Sequence, residues 1–157
     1  MKQWLMRRAV RTALATTLFA LSMIAASEAQ PQGFAPAIVR SAESGSPTAQ
    51  TRLGYMYENG IGVPQDYRLA AMWYHRAAEQ GDPRAQHRLG ILFNKGFGVR
   101  VDFIEAYKWL NLAASRVRIS DRGYYARMRN AVASKLTYSE LAEGQLRATR
   151  WRTQPER

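Results

Sequence analysis

The chain repeats itself at a fixed interval, and that constrains its fold more than any other feature. An offset of 36 residues pairs Ala49-Gln50 with Ala85-Gln86, Arg52-Leu53-Gly54 with Arg88-Leu89-Gly90, Gly60 with Gly96, and Gly62-Val63 with Gly98-Val99. The same offset pairs Asp66 with Asp102, Ala70 with Ala106, Trp73 with Trp109, and Ala77-Ala78 with Ala113-Ala114. These are thirteen identities over the thirty positions from 49 to 78, without a gap. A unit of this size is one supersecondary element that cannot bury its apolar face alone, so neighbouring units must stack.

Each unit reads as two helices joined by a glycine turn. Ser46-Pro47 and Asp82-Pro83 place a capping side chain ahead of a proline in the first helical turn. Leu53, Met56 and Tyr57, echoed by Leu89, Leu92 and Phe93, recur at spacings of three and four and share one helix face. Gly60 and Gly96 end these helices in a left-handed cap. Asp66 and Asp102 cap the second helices, whose inward stripes are Tyr67, Ala70, Tyr74 and Ala77, then Phe103, Ala106, Tyr107 and Leu110. Gly54 and Gly90 fall where antiparallel helices approach closely. The units span about 46–81 and 82–117, within a domain at 46–157.

The flanks are read from weaker signals. Ser120-Asp121 starts a third first helix running to about Leu136, with Tyr125-Ala126 in the register of the earlier Leu-Gly pairs. Thr137 and Glu140 form a capping box for a last helix through about Arg152, with Tyr138, Leu141, Ala142 and Leu146 expected to face inward. Together these degenerate capping helices cover 120–152. Residues 30–45 read as a linker, with Pro36 to Arg40 as a short packed segment in the alternative. At the N-terminus a basic head (Lys2, Arg7, Arg8, Arg11) precedes an uncharged apolar run from Thr12 to Ala26 and small residues around Ala29. That is the pattern of a cleaved signal peptide over 1–29. The run is shorter than the roughly 20 residues a spanning helix needs, so no stable membrane insertion is expected after cleavage. Export to the periplasm or beyond follows.

Charge sharpens the partner class. The chain carries +11, but four of its basic residues and one acidic residue lie before position 30, which leaves +8. From Arg116 onward ten basic residues face four acidic ones. A basic surface suits anions, but export argues against nucleic acid and for proteins or other envelope anions.

The pattern A-x-x-x-L-G-x-x-Y/F-x-x-G-x-G-V-x-x-D-x-x-x-A-x-x-W-x-x-x-A-A, carried by Ala49 to Ala78 and by Ala85 to Ala114, resembles the Sel1-like repeat, a relative of the tetratricopeptide repeat. The resemblance implies an all-α solenoid of antiparallel helix pairs whose concave side binds proteins, as an adaptor or a periplasmic regulator. Its partner would be a protein such as the external part of a membrane sensor or an envelope assembly factor. Some exported members with a disulfide in each repeat are linked to β-lactam binding or hydrolysis. This chain has no cysteine, which sets it apart from that subgroup and leaves a cell-wall-directed or β-lactam-binding enzyme as the alternative.

Residues that could carry chemistry do not converge. His75 and His87 are twelve apart on different predicted helices, and the sequence has no H-E-x-x-H. Gly60-Ile61-Gly62 and Gly96-Phe97-Gly98 follow no strand and open no dinucleotide-binding helix. No nucleophile elbow G-x-S-x-G occurs, and Asp66 and Asp102 are accounted for as caps. The expectation is a non-enzyme without metal or cofactor. On the first helices, the positions outside the core stripe form the candidate binding face: Thr51, Arg52, Tyr55 and Glu58, with His87, Arg88, Ile91 and Asn94 in the second unit. The competing reading packs Tyr55 and Ile91 against the neighbouring repeat.

Overall fold

The structure is a computed structural model that describes residues 35–154. The expected signal peptide lies outside the described residues. Seven helices follow in order: α1 (Ala35–Glu43), α2 (Pro47–Asn59), α3 (Tyr67–Glu79), α4 (Pro83–Lys95), α5 (Phe103–Arg116), α6 (Ile119–Ala133) and α7 (Tyr138–Arg150). No strand occurs among the described residues. The architecture is an all-α stack of helix pairs, as the period requires.

The punctuation acts as its chemistry dictates. Ser46 accepts from the Ala49 amide, Asp66 from Arg68 and Leu69, Asp82 from Arg84 and Ala85, and Asp102 from Glu105. Each such cap is worth about 1 kcal/mol to its helix. Gly60 (φ 68°) and Gly96 (φ 74°) hold the left-handed conformation at the ends of α2 and α4. Gly54 and Gly90 admit the facing helix. A Cβ would lie 2.8 Å from the Tyr74 ring at Gly54, and 2.7 Å from Leu110 Cγ at Gly90.

The core runs as a string of clusters. Leu53, Met56 and Trp73 pack with Ile38 and Ala42 at the N-terminal end. Tyr74, Leu89, Leu92, Trp109 and Leu112 pack with the repeated alanines in the middle. Tyr107, Leu110 and Val132 close the C-terminal end.

Three expectations are corrected. The stretch read as a linker at 30–45 is helical over Ala35–Glu43, and Ile38 and Ala42 are buried. This helix stands in the register of the second helix of a repeat unit. Gln50 Nε2 donates to the Ala42 carbonyl at 3.1 Å, and 36 residues on Gln86 Nε2 donates to the Ala78 carbonyl at 3.1 Å. Gly45 (φ 91°) and Gly81 (φ 93°) make the matching turns. Second, α6 begins at Ile119 behind Arg118, which makes no side-chain cap, so Ser120-Asp121 is not the start; the helix ends at Ala133.

Third, α7 turns a different face to the core. Tyr138 is 91% exposed, Leu146 41% exposed, and Ala142 is also exposed. Gly144 and Ala148 are buried instead, with Leu141 half-buried. A Cβ on Gly144 would come 2.9 Å from Tyr107 Cδ1. The helix approaches α5 so closely that its small residues form the contact and its larger ones face outward. The expected Thr137–Glu140 capping box is present.

Candidate functional site

One groove on the first-helix face gathers residues from both repeats. It has a volume of about 680 Å³ and lies between α2 and α4. Thr48, Thr51, Arg52 and Tyr55 form one wall, being spaced so that they share a face of α2. Arg84 and Arg88, one turn apart on α4, form the other, with Asp82 and Pro83 at the helix start. A site on two packed helices is held more rigidly than one on loops.

Its polar interior is ordered from below. Tyr74 is fully buried and its hydroxyl donates to Glu58 Oε2 at 2.6 Å. Burial, followed by the hydrogen bond to Glu58, pushes the Tyr74 hydroxyl pKa up, so it remains the donor across ordinary pH. Arg88 Nη1 reaches Glu58 Oε1 at 3.4 Å, and the guanidinium lies 5.2 Å from the Tyr55 ring centroid. With Arg88 40% exposed, that ion pair contributes at most about 1 kcal/mol. Tyr55 is 42% exposed, so its ring is open to a ligand as well as to Arg88.

The eight residues expected on this face divide into two groups. Thr51, Arg52, Tyr55 and Arg88 line the groove, and Glu58 organises it. His87, Ile91 and Asn94 do not join them. His87 is 6% exposed and packs against Tyr125 at 4.4 Å and Tyr124 at 5.4 Å between ring centroids. Burial, then the neighbouring Arg88 charge, lowers its pKa to about 4, so the ring is neutral at neutral pH. It is a packing element beneath α6. Asn94 accepts from Lys135 Nζ at 2.7 Å, and Ile91 is half-buried.

Sequence reasoning missed Arg84. Arg84 sits one turn before Arg88, a spacing that would have placed both on one face, but the second unit's identities with the first drew attention to Arg88 alone.

His75 Nε2 lies 3.7 Å from Glu79 Oε1, and the same carboxylate accepts from the Trp151 indole N–H at 3.3 Å. Among the described residues no cluster of three or more His, Cys, Asp or Glu could hold a metal ion. No helix among them is long and apolar enough to cross a membrane.

Helix pairs in register, close-approach glycines and a groove on the first-helix face define a helical-repeat scaffold of the interaction type. The Sel1 repeat family matches at residues 47–82 and 83–116, one residue from the units read off the period, and the chain carries two Sel1 repeats. Among solved structures it is similar to a protective antigen of uropathogenic Escherichia coli strains that displays an SLR fold. That match has 32% identity and a TM-score of 0.67, covering 73% of this chain and 24% of the antigen. It is also similar to a Sel1 repeat protein from Oxalobacter formigenes, with 40% identity and a TM-score of 0.53, covering 58% of this chain and 26% of that one. The chain thus spans about a quarter of the length of these two proteins. A search of curated proteins finds no match. Sel1 repeats generally mediate protein–protein interaction, and the fold is typically a non-catalytic scaffold.

Proposed function

We propose that this chain is a non-catalytic binding module of the bacterial envelope, an adaptor or regulator that holds a partner protein in the groove between α2 and α4. The observation that carries the reading is the convergence of Arg52, Tyr55 and Arg88 from two different repeats on one preformed groove. Arginine and tyrosine are the residue types that most often anchor interfaces, because they combine broad contact area with directed donors. Location in the envelope rests on the basic and apolar pattern of residues 1–29, and it predicts a mature N-terminus near Gln30 by mass spectrometry of envelope fractions.

The test is a pull-down from envelope extract with the intact protein and with Tyr55→Ala/Arg88→Ala. Recovery of one protein partner by the first and not by the second, with circular dichroism unchanged, supports the reading. Binding to purified peptidoglycan or turnover of a β-lactam, with no protein recovered, replaces it by the cell-wall-directed alternative.

A further inference from the structure

We propose that the surface lined by the C-terminal parts of α3 and α5 is a binding site for an extended peptide segment bearing a tryptophan, and that the chain's own residues 151–154 occupy it as an internal ligand. This surface uses the second helices and none of the groove residues, so it stands or falls apart from the partner site between α2 and α4.

Helix α7 ends at Arg150, and Trp151 turns the chain into an extended conformation (φ −63°, ψ 140°). From there the tail lies on α3 and α5. The Trp151 indole N–H donates to Glu79 Oε2 at 3.3 Å, the Arg116 guanidinium lies 4.5 Å from its ring centroid, and the Trp109 ring meets it edge-on at 6.3 Å. Three residues on, the Gln154 amide donates to the Glu79 backbone carbonyl at 2.8 Å. Between the two, Thr153 passes Gly81, where a Cβ would lie 3.0 Å from Thr153 Cγ2 and 3.7 Å from Trp151 Cη2. Glu79 thus takes an indole with its side chain and a main-chain amide with its backbone. A peptide-binding surface reads an extended segment in this way, with a side-chain contact for identity and a main-chain bond for alignment.

Two features make the tail a ligand rather than a part of the core. Gly144 and Ala148 already seat α7, against Tyr107 and within the central cluster, before the chain reaches Trp151. The bond from Gln154 to Glu79 is the one main-chain hydrogen bond that ties 151–154 to α3 or α5 among the described residues, and Trp151 stays half-buried. A segment held by so little can open without unfolding the rest. The surface it leaves keeps a carboxylate for an N–H, a cation for a ring face and an aromatic edge. That set selects tryptophan, since a phenylalanine ring has no donor for Glu79. The tether to α7 gives the tail a high effective concentration, so a free segment competes poorly while the indole is in place.

The experiment uses the full chain and a fluorescein-labelled peptide with the sequence of residues 149–157, followed by fluorescence anisotropy. Trp151→Ala, which empties the surface, should bind the peptide saturably and at least about ten-fold more tightly than the intact chain does. Adding Arg116→Ala to that variant, or replacing tryptophan by phenylalanine in the peptide, should weaken binding about five-fold or more. Equal affinity for the intact chain and Trp151→Ala would show that the tail does not close the surface. No binding by a folded Trp151→Ala, with circular dichroism unchanged, would remove the peptide site. Hydrogen exchange of the intact chain by NMR needs no variant: the Trp151 indole N–H and the Gln154 amide should exchange at least about ten-fold faster than the core amides of α5. Protection equal to that of α5 would make the tail part of the cooperative core and overturn the proposal, whether or not Trp151→Ala folds.

Discussion

The junction between the two repeats and the junction that follows it use the same register and reach opposite results. Between α2 and α4 the first-helix face opens into a groove, whereas between α4 and α6 the corresponding positions hold an aromatic cluster. Thr51 at the first corresponds, 36 residues on, to His87 at the second, and Arg88 corresponds to Tyr124. Arg88 lies over the Tyr55 ring, while Tyr124 packs on His87 at 5.4 Å and on Tyr125 at 5.8 Å. The local signals weaken in parallel. Asp82 caps α4, but its counterpart Arg118 makes no cap on α6, and Val117 stands where Gly81 makes the turn. Of the fifteen residues of α6 only Val132 is buried. A repeat stack thus presents a binding surface where successive units are well formed, and closes it where a degenerate unit supplies bulk in place of fit.

The two repeats also differ at their loop glycines, and the largest expected effect lies there. Gly62 (φ 70°) and Gly98 (φ 69°) share a backbone conformation closed to most side chains. A Cβ on Gly98 would overlap the backbone of Tyr67 and Arg68, whereas among the described residues one on Gly62 would meet only Met56 Cε, at 3.6 Å. Gly98→Ala should therefore cost about 3 kcal/mol or more in chemical denaturation, and Gly62→Ala about 1 kcal/mol from backbone strain alone. Equal losses would mean that the repeats are not pressed together at Gly98.

Acid should act on the second junction through His87. Its pKa is lowered to about 4 from an ordinary 6.5, so folding favours the neutral ring. The unfolded chain gains the proton first as pH falls, so stability is complete above about pH 6.5 and is lost progressively down to about pH 4, with an upper bound near 3 kcal/mol. The comparison is between the intact protein and His87→Thr, which installs the residue of the first junction. A pH profile equally steep in both would assign the acid sensitivity to other groups.

Binding should separate the groove from the rest of the surface. Tyr55→Ala with Arg88→Ala should weaken a captured partner by about 2 kcal/mol in isothermal titration, with helicity kept. Undiminished affinity would place the site elsewhere. The smallest effect is expected from the basic C-terminal helix. Arg147 is paired with Glu143 at 2.7 Å and with Glu105 at 2.9 Å, so its charge is largely committed within the protein. Neutralising Arg147, Arg150 and Arg152 should only slow association at low salt, within about a Debye length of 10 Å at 0.1 M ionic strength. If it abolishes binding at high salt, the basic tail is the interface and the groove is not.

Sequence by itself determined the period, the helix pairs and their caps. Those features depend on residues within a few positions of one another: Asp66 capping α3, Gly60 ending α2, and Leu53 and Met56 sharing a face. It also singled out Arg52, Tyr55 and Arg88, because positions outside a regular core stripe must face away from it. Tertiary structure alone decided the rest. The 36-residue offset already aligned Ala42 and Gly45 with Ala78 and Gly81, but nothing local distinguished the second helix of a unit from a linker. On α7 the apolar stripe of Tyr138, Ala142 and Leu146 pointed to one face, yet the distance of approach to Tyr107 selected the face of Gly144 and Ala148. His87 looked like a surface residue beside Arg88 until Tyr124 and Tyr125, 37 and 38 positions away, covered it. Helical periodicity ranks the faces of one helix, but which neighbour covers each face depends on residues distant in the chain, whose packing only the assembled stack settles.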